Sequence, residues 1–101
     1  MKYNYLIVDA YLNGTGVRDK YNEGYIDLEH LNISTGLVSD IKNWLSAYWE
    51  EYYRGYNDSA RMRELDKIGK ALALRLQHDL PHAKVEYFSD VEMKLYLSEE
   101  L

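Results

Sequence analysis

The apolar positions change their period several times along the chain, and each change predicts an element. Tyr3 to Ala10 (YNYLIVDA) holds Leu6, Ile7 and Val8 in succession within a β-branched and aromatic stretch. Such a run reads as a strand covered on both faces, inside a sheet. Asn13-Gly14 tolerates positive φ at both positions and predicts a turn, after which Val17 to Tyr21 returns as a polar edge strand. Asn22-Glu23-Gly24 turns again, and Tyr25 to Leu28 adds a short third strand before Glu29 to Asn32 leads into a helix. An irregular loop is the alternative for this stretch.

From Leu37 the period becomes helical. Ser34 or Thr35 is the N-cap and Gly55 the terminator, with Leu37, Ile41, Trp44, Leu45, Tyr48, Trp49, Tyr52 and Tyr56 on one side and Tyr53 at its margin. This apolar face spans about 180°, well beyond the 100° or so that a surface helix buries, and the excess is aromatic. A sheet, a second copy or a partner must cover it. Asn57-Asp58-Ser59 caps a second helix that Pro81 stops, with Met62, Leu65, Ile68, Gly69, Leu72, Ala73, Leu76 and Leu80 as its stripe. Gly69 costs helix propensity there, which points to a close approach of a neighbouring backbone. The short link between the two helices predicts an antiparallel hairpin. Ala83 to Ser89 alternates with the period of a half-buried strand, and Ser89-Asp90-Val91-Glu92 matches a capping box opening a short C-terminal helix through Met93, Leu95 and Leu97. The expected fold is α+β and two-layered: a small sheet packed on an antiparallel helical hairpin, plus a short C-terminal helix, with residues 1–101 forming a single domain.

Composition narrows the function classes. Twelve Lys and Arg against 17 Asp and Glu give a net charge of −5, which argues against direct nucleic-acid or anionic-membrane binding. The acidity is regional, because the second helix carries Arg61, Arg63, Lys67, Lys70 and Arg75 against three carboxylates. Without cysteine there is no disulfide, thiolate nucleophile or Cys-based zinc site, and no apolar run is long enough for a signal-peptide core or a membrane span. The expected compartment is the cytoplasm. Eleven tyrosines stand beside two Trp and one Phe, a ring supply suited to half-buried and interface positions.

No catalytic constellation stands out. Asp9 closes a buried strand, and Asn13-Gly14-Thr15-Gly16 with Arg18 could cradle an anion, but the loop lacks a third glycine or a Gly-Lys-Ser/Thr. His78 and His82 are four residues apart, yet Pro81 breaks the helix that would align them, so no metal or cofactor is expected. Carboxylates and rings interleave in the first third of the chain, a pattern that meets a basic protein: charges speed encounter and rings supply anchors. The candidate partner-binding residues are Tyr11, Asp19, Tyr21, Glu23, Tyr25 and Asp27, followed by Trp49, Tyr53 and Tyr56.

A small, acidic, Cys-free, Tyr-rich α+β domain without a catalytic constellation resembles the immunity proteins of bacterial polymorphic and contact-dependent toxin systems. The resemblance is one of type over the whole chain and carries over no residue roles. It implies a non-catalytic, cytoplasmic protein that binds one toxin domain, such as a basic nuclease, and occludes its active site. The alternatives are a homo-oligomer, at simplest a homodimer, built through the aromatic helix face, and a small-molecule or phosphate binder using Asp9, Gly14, Gly16 and Arg18.

Overall fold

The computed structural model describes residues 3–22 and 24–101. Among these residues the sheet comprises β1 (Tyr5–Val8), β2 (Val17–Asp19), β3 (Gly24–Tyr25), β4 (Lys84–Ser89) and β5 (Lys94–Tyr96), in the order β3-β2-β1-β4-β5. Neighbours are antiparallel except β1 and β4, which run parallel with Leu6 beside Val85 and Val8 beside Tyr87. The parallel pair is joined by the helical hairpin, α1 (Thr35–Tyr53) and α2 (Ser59–Asp79). The α+β class, the hairpin and the central position of the first strand follow the sequence pattern.

Local chemistry sets the helix ends. The Ser34 hydroxyl accepts from the Leu37 amide at 3.2 Å, and the Asp58 carboxylate accepts from the Arg61 amide at 3.0 Å, each satisfying a first-turn donor that has no helical partner. Gly55 takes φ of 78°, the left-handed conformation that lets the chain leave α1. The helices are antiparallel: the Ser34 amide meets Asp79 (3.1 Å), Arg75 meets Asp40 (2.7 Å) and Tyr48 meets Asp66 (2.9 Å).

One face of the sheet packs on the hairpin. Leu6, Val8, Val85 and Tyr87 are fully buried against Ile41, Trp44, Tyr48 and Leu76, so most of the aromatic face of α1 is spent inside its own chain. Burying each such side chain contributes about 1.5–3 kcal/mol. Asp66 is buried here too, and its carboxylate accepts from the hydroxyls of Tyr48, Tyr87 (2.6 Å) and Ser89 (2.7 Å). Three donors offset the cost of placing this group in the core.

The structure corrects several expectations. The Val17 strand is not the edge, because Tyr25 pairs beside Arg18 and places β3 outside it. Ile68, placed on the apolar stripe of the second helix, is 40% exposed, whereas Glu51, absent from the apolar face of the first, is buried and paired with Arg54. What approaches Gly69 is the Tyr87 ring rather than a backbone. The C-terminal helix is replaced by a hairpin, β4 to β5, followed by a single 3-10 turn at Ser98–Glu100. Ser89 does accept from the Glu92 amide at 3.2 Å, but the Glu92 carboxylate turns to the Tyr96 hydroxyl, and Met93 at φ 55° reverses the chain. The capping signature therefore closes a turn.

Among the described residues no helix covers the second sheet face; its own long side chains do. Ile7, Arg18, Tyr25 and Glu86 lie side by side across the strands. Glu86 is fully buried, accepting from the Tyr5 hydroxyl and pairing with Lys20 at 3.1 Å. Lys20 also lies 4.3 Å from the Tyr5 ring centroid, and its ammonium pKa is held above the ordinary range by the hydrogen bond to Glu86.

A candidate binding cleft at the end of the parallel strands

Because β1 and β4 are parallel, the residues that follow them emerge at the same end of the sheet. Asp9 follows β1 and Asp90 follows β4, and both line a cleft of about 780 Å³. Asp9 is buried and accepts from the Arg18 Nε at 2.7 Å, the Tyr25 hydroxyl at 2.6 Å and the Tyr11 amide at 3.3 Å. Asp90 accepts from the Tyr56 hydroxyl at 2.8 Å. Burial, then the carboxylate each faces, pushes the Tyr25 and Tyr56 hydroxyls well above the usual phenol range, so both remain protonated donors.

Rings and a thioether wall the cleft. Tyr11 stacks on Tyr25 with centroids 6.0 Å apart and planes 13° off parallel. Tyr52 enters from the last turn of α1 and continues into the neighbouring rings of Tyr53 and Tyr56. Phe88 and Met93 close the β4–β5 side. The Asn13–Gly16 loop spends its polar groups on itself: the Gly14 amide donates to the Tyr11 carbonyl, the Gly16 carbonyl accepts from the Asp9 amide, and the Thr15 hydroxyl donates to the Ile26 carbonyl at 2.6 Å. A Cβ on Gly14 would lie 2.7 Å from the Tyr25 ring, so this glycine makes room for the ring.

The residues singled out from the sequence fall into distinct places. Tyr11, Tyr21 and Tyr53 are 61%, 71% and 72% exposed, but only Tyr11 lines the cleft directly, with Tyr25 beneath it. Tyr21 sits edge-on to Tyr5 over the second sheet face. Tyr53 extends the rim through Tyr52, and Tyr56 holds Asp90 from below. Asp19 is buried, its carboxylate accepting from the Tyr21 amide and the Asn22 side chain at 3.0 Å each, contacts that lower its pKa. Asp27 caps the 3-10 turn Leu28–His30 through the Glu29 amide. Trp49 is half-buried and donates its indole N–H to the Ala10 carbonyl at 2.9 Å. Glu23 lies outside the described residues.

Sequence reasoning missed Asp90, Tyr52, Phe88 and Met93 as site residues. One signal pointed to the first, since each of the two strongest strand patterns ends near an aspartate. Among the described residues no group of three His, Cys, Asp or Glu is placed to hold a metal ion, and no helix is long and apolar enough to cross a membrane. No protein-family model, curated protein or solved structure matches the chain.

Proposed function

We propose that the chain is a non-catalytic protein-binding module that inhibits a basic partner, such as a toxin nuclease, by seating on it and occluding its working surface. The observation that carries this reading is a convergence. Exposed rings from the loop after β1 (Tyr11) and the end of α1 (Tyr52), with Met93 from the turn after β4, surround one cleft that contains Asp9, Asp90 and Arg18. Rigid rings supply contact area at low entropic cost, and a carboxylate beside them favours an arginine or lysine of the partner. Asp9 already carries three donors, which suits a group that shapes the cleft floor better than one that moves protons. The reading places the protein in the cytoplasm of a bacterium.

The test is a tagged pull-down from the native host at low and high salt, repeated with Tyr11→Ala combined with Tyr52→Ala. Capture of one basic protein at stoichiometric level, weakened by salt and lost in the double variant at an unchanged melting temperature, is the expected result. Equal capture by the double variant, or recovery of the protein's own copies alone, overturns it.

A further inference from the structure

The cations of α2 divide into two sets. Arg61 is paired with Glu64, and Arg75 with Asp40 at 2.7 Å. Arg63, Lys67 and Lys70 pair with no carboxylate among the described residues, and all three line a second groove, of about 480 Å³, between α2 and β5. Spacings of four and three residues put them on one helix face, where like charges repel. The Lys70 ammonium sits 3.7 Å from the Tyr96 ring centroid, and Lys94 lies 4.7 Å from the same ring. Two carboxylates share the lining, Asp66 and Glu92, and both are engaged by hydroxyls, Glu92 by that of Tyr96, so the groove carries a net charge of +1 in a chain of net charge −5.

We infer that this groove docks an extended acidic segment of a partner protein, laid along β5 with its carboxylates against Arg63, Lys67 and Lys70. Three features select an extended peptide over a small oxyanion. The cationic row covers about 10 Å of helix axis, while alternate residues of an extended chain stand about 7 Å apart, so two or three carboxylates at alternate positions span it. Asp66 lies at the groove floor with its oxygens occupied by hydroxyls, which turns an anion away from the depth and keeps it at the rim. β5 is the last strand of the sheet, and an edge strand offers unpaired backbone groups to an added chain. The groove is separate from the cleft around Asp9: Tyr52 lines only the cleft, and Lys67 only the groove.

Fluorescence anisotropy with a labelled eight-residue peptide of alternating glutamate and threonine tests the inference on the full chain. Saturable binding is expected at low ionic strength, weakening with salt, absent for the lysine–threonine counterpart and unchanged by Tyr52→Ala. Lys67→Glu with Lys70→Glu should weaken it at least about tenfold at an unchanged melting temperature. Arg63→Gln with Lys67→Gln provides the same comparison if charge reversal disturbs the fold. No saturable binding, binding that survives either cation variant, or displacement by inorganic phosphate at concentrations matching the peptide carboxylates overturns it, the last by revealing a small-oxyanion site.

Discussion

Replacing Gly69 by alanine sets two ordinary effects against each other, and the structure decides the sign. Helix propensity alone favours alanine in the middle of α2 by about 1 kcal/mol. Packing opposes it: a Cβ at this position would lie 2.3 Å from Tyr87 Cε1 and 2.7 Å from both Cζ and the hydroxyl oxygen. A flexible surface ring would swing aside, but Tyr87 is fully buried on β4, an interior strand between β1 and β5, and its hydroxyl donates to Asp66 at 2.6 Å. Moving the ring costs about 1–3 kcal/mol of overpacking and puts at risk a charge-assisted hydrogen bond of about 1.5–3 kcal/mol. After subtracting the propensity gain, Gly69→Ala should destabilise the fold by about 1.5–5 kcal/mol, or about 7–25 °C in melting temperature for a domain of this size. Urea unfolding and a circular dichroism melt give both numbers. The same substitution made on Tyr87→Leu should be neutral or stabilising, since the ring is gone, which gives a coupling of about 3 kcal/mol in the double-mutant cycle. A Gly69→Ala protein that melts at or above the wild-type temperature refutes the packing argument.

Removing the partner of a buried carboxylate should cost more than removing both partners. Arg18→Ala, discounted for the partial exposure of Arg18, should cost about 1–3 kcal/mol in urea unfolding, and Asp9→Asn with Arg18→Gln should recover part of it; an Arg18→Ala protein of wild-type stability contradicts the account. Burial is the leading cause that raises the pKa of Tyr25, Tyr48, Tyr56 and Tyr87. Their contribution to stability is therefore fully present below the unfolded phenol value near 10 and lost as pH rises above it, so the urea midpoint should fall beyond about pH 10. A midpoint held constant to pH 11 would count against buried phenols. Trp49→Phe deletes the hydrogen bond to Ala10 and should cost about 1 kcal/mol, whereas Tyr53→Ala, on an exposed ring, should stay within about 0.5 kcal/mol; equal thermal shifts for the two would contradict their placement.

The elements whose period is strong were legible from the residues alone. Both helices begin at the capping side chains and end at the Gly55 and Pro81 signals, because a cap and a terminator act on the backbone within a few residues. The C-terminal segment was not legible, since Ser-x-x-Glu satisfies the same amide in a turn as at a helix start, and Met93 decides between them only once β4 offers β5 a partner. In the alternation of Ala83 to Ser89, Glu86 falls on the side opposite Val85 and Tyr87, and it does point away from the helices. It is buried because Tyr5 and Lys20 fold over that face, a pairing that depends on strands 81 positions apart in the case of Tyr5. The cleft failed to show for the same reason: Asp9 and Asp90, or Tyr11 and Tyr52, become neighbours only when the parallel pair forms.

That parallel pairing also governs how the chain reaches its fold. The helical hairpin is built from local contacts and can form in microseconds, but β1 cannot complete its ladder until β4, the other half of the central pair, exists. At about 5–20 residues per second of synthesis, the Leu6-Ile7-Val8 strand waits about 4–16 s with one edge open. During that interval only β2 shields it, and its free edge is the segment of the nascent chain most exposed to mispairing with a neighbour. The yield of folded protein is therefore set by how quickly β4 follows the hairpin, and slowing translation between α2 and β4 should convert folded product into aggregate.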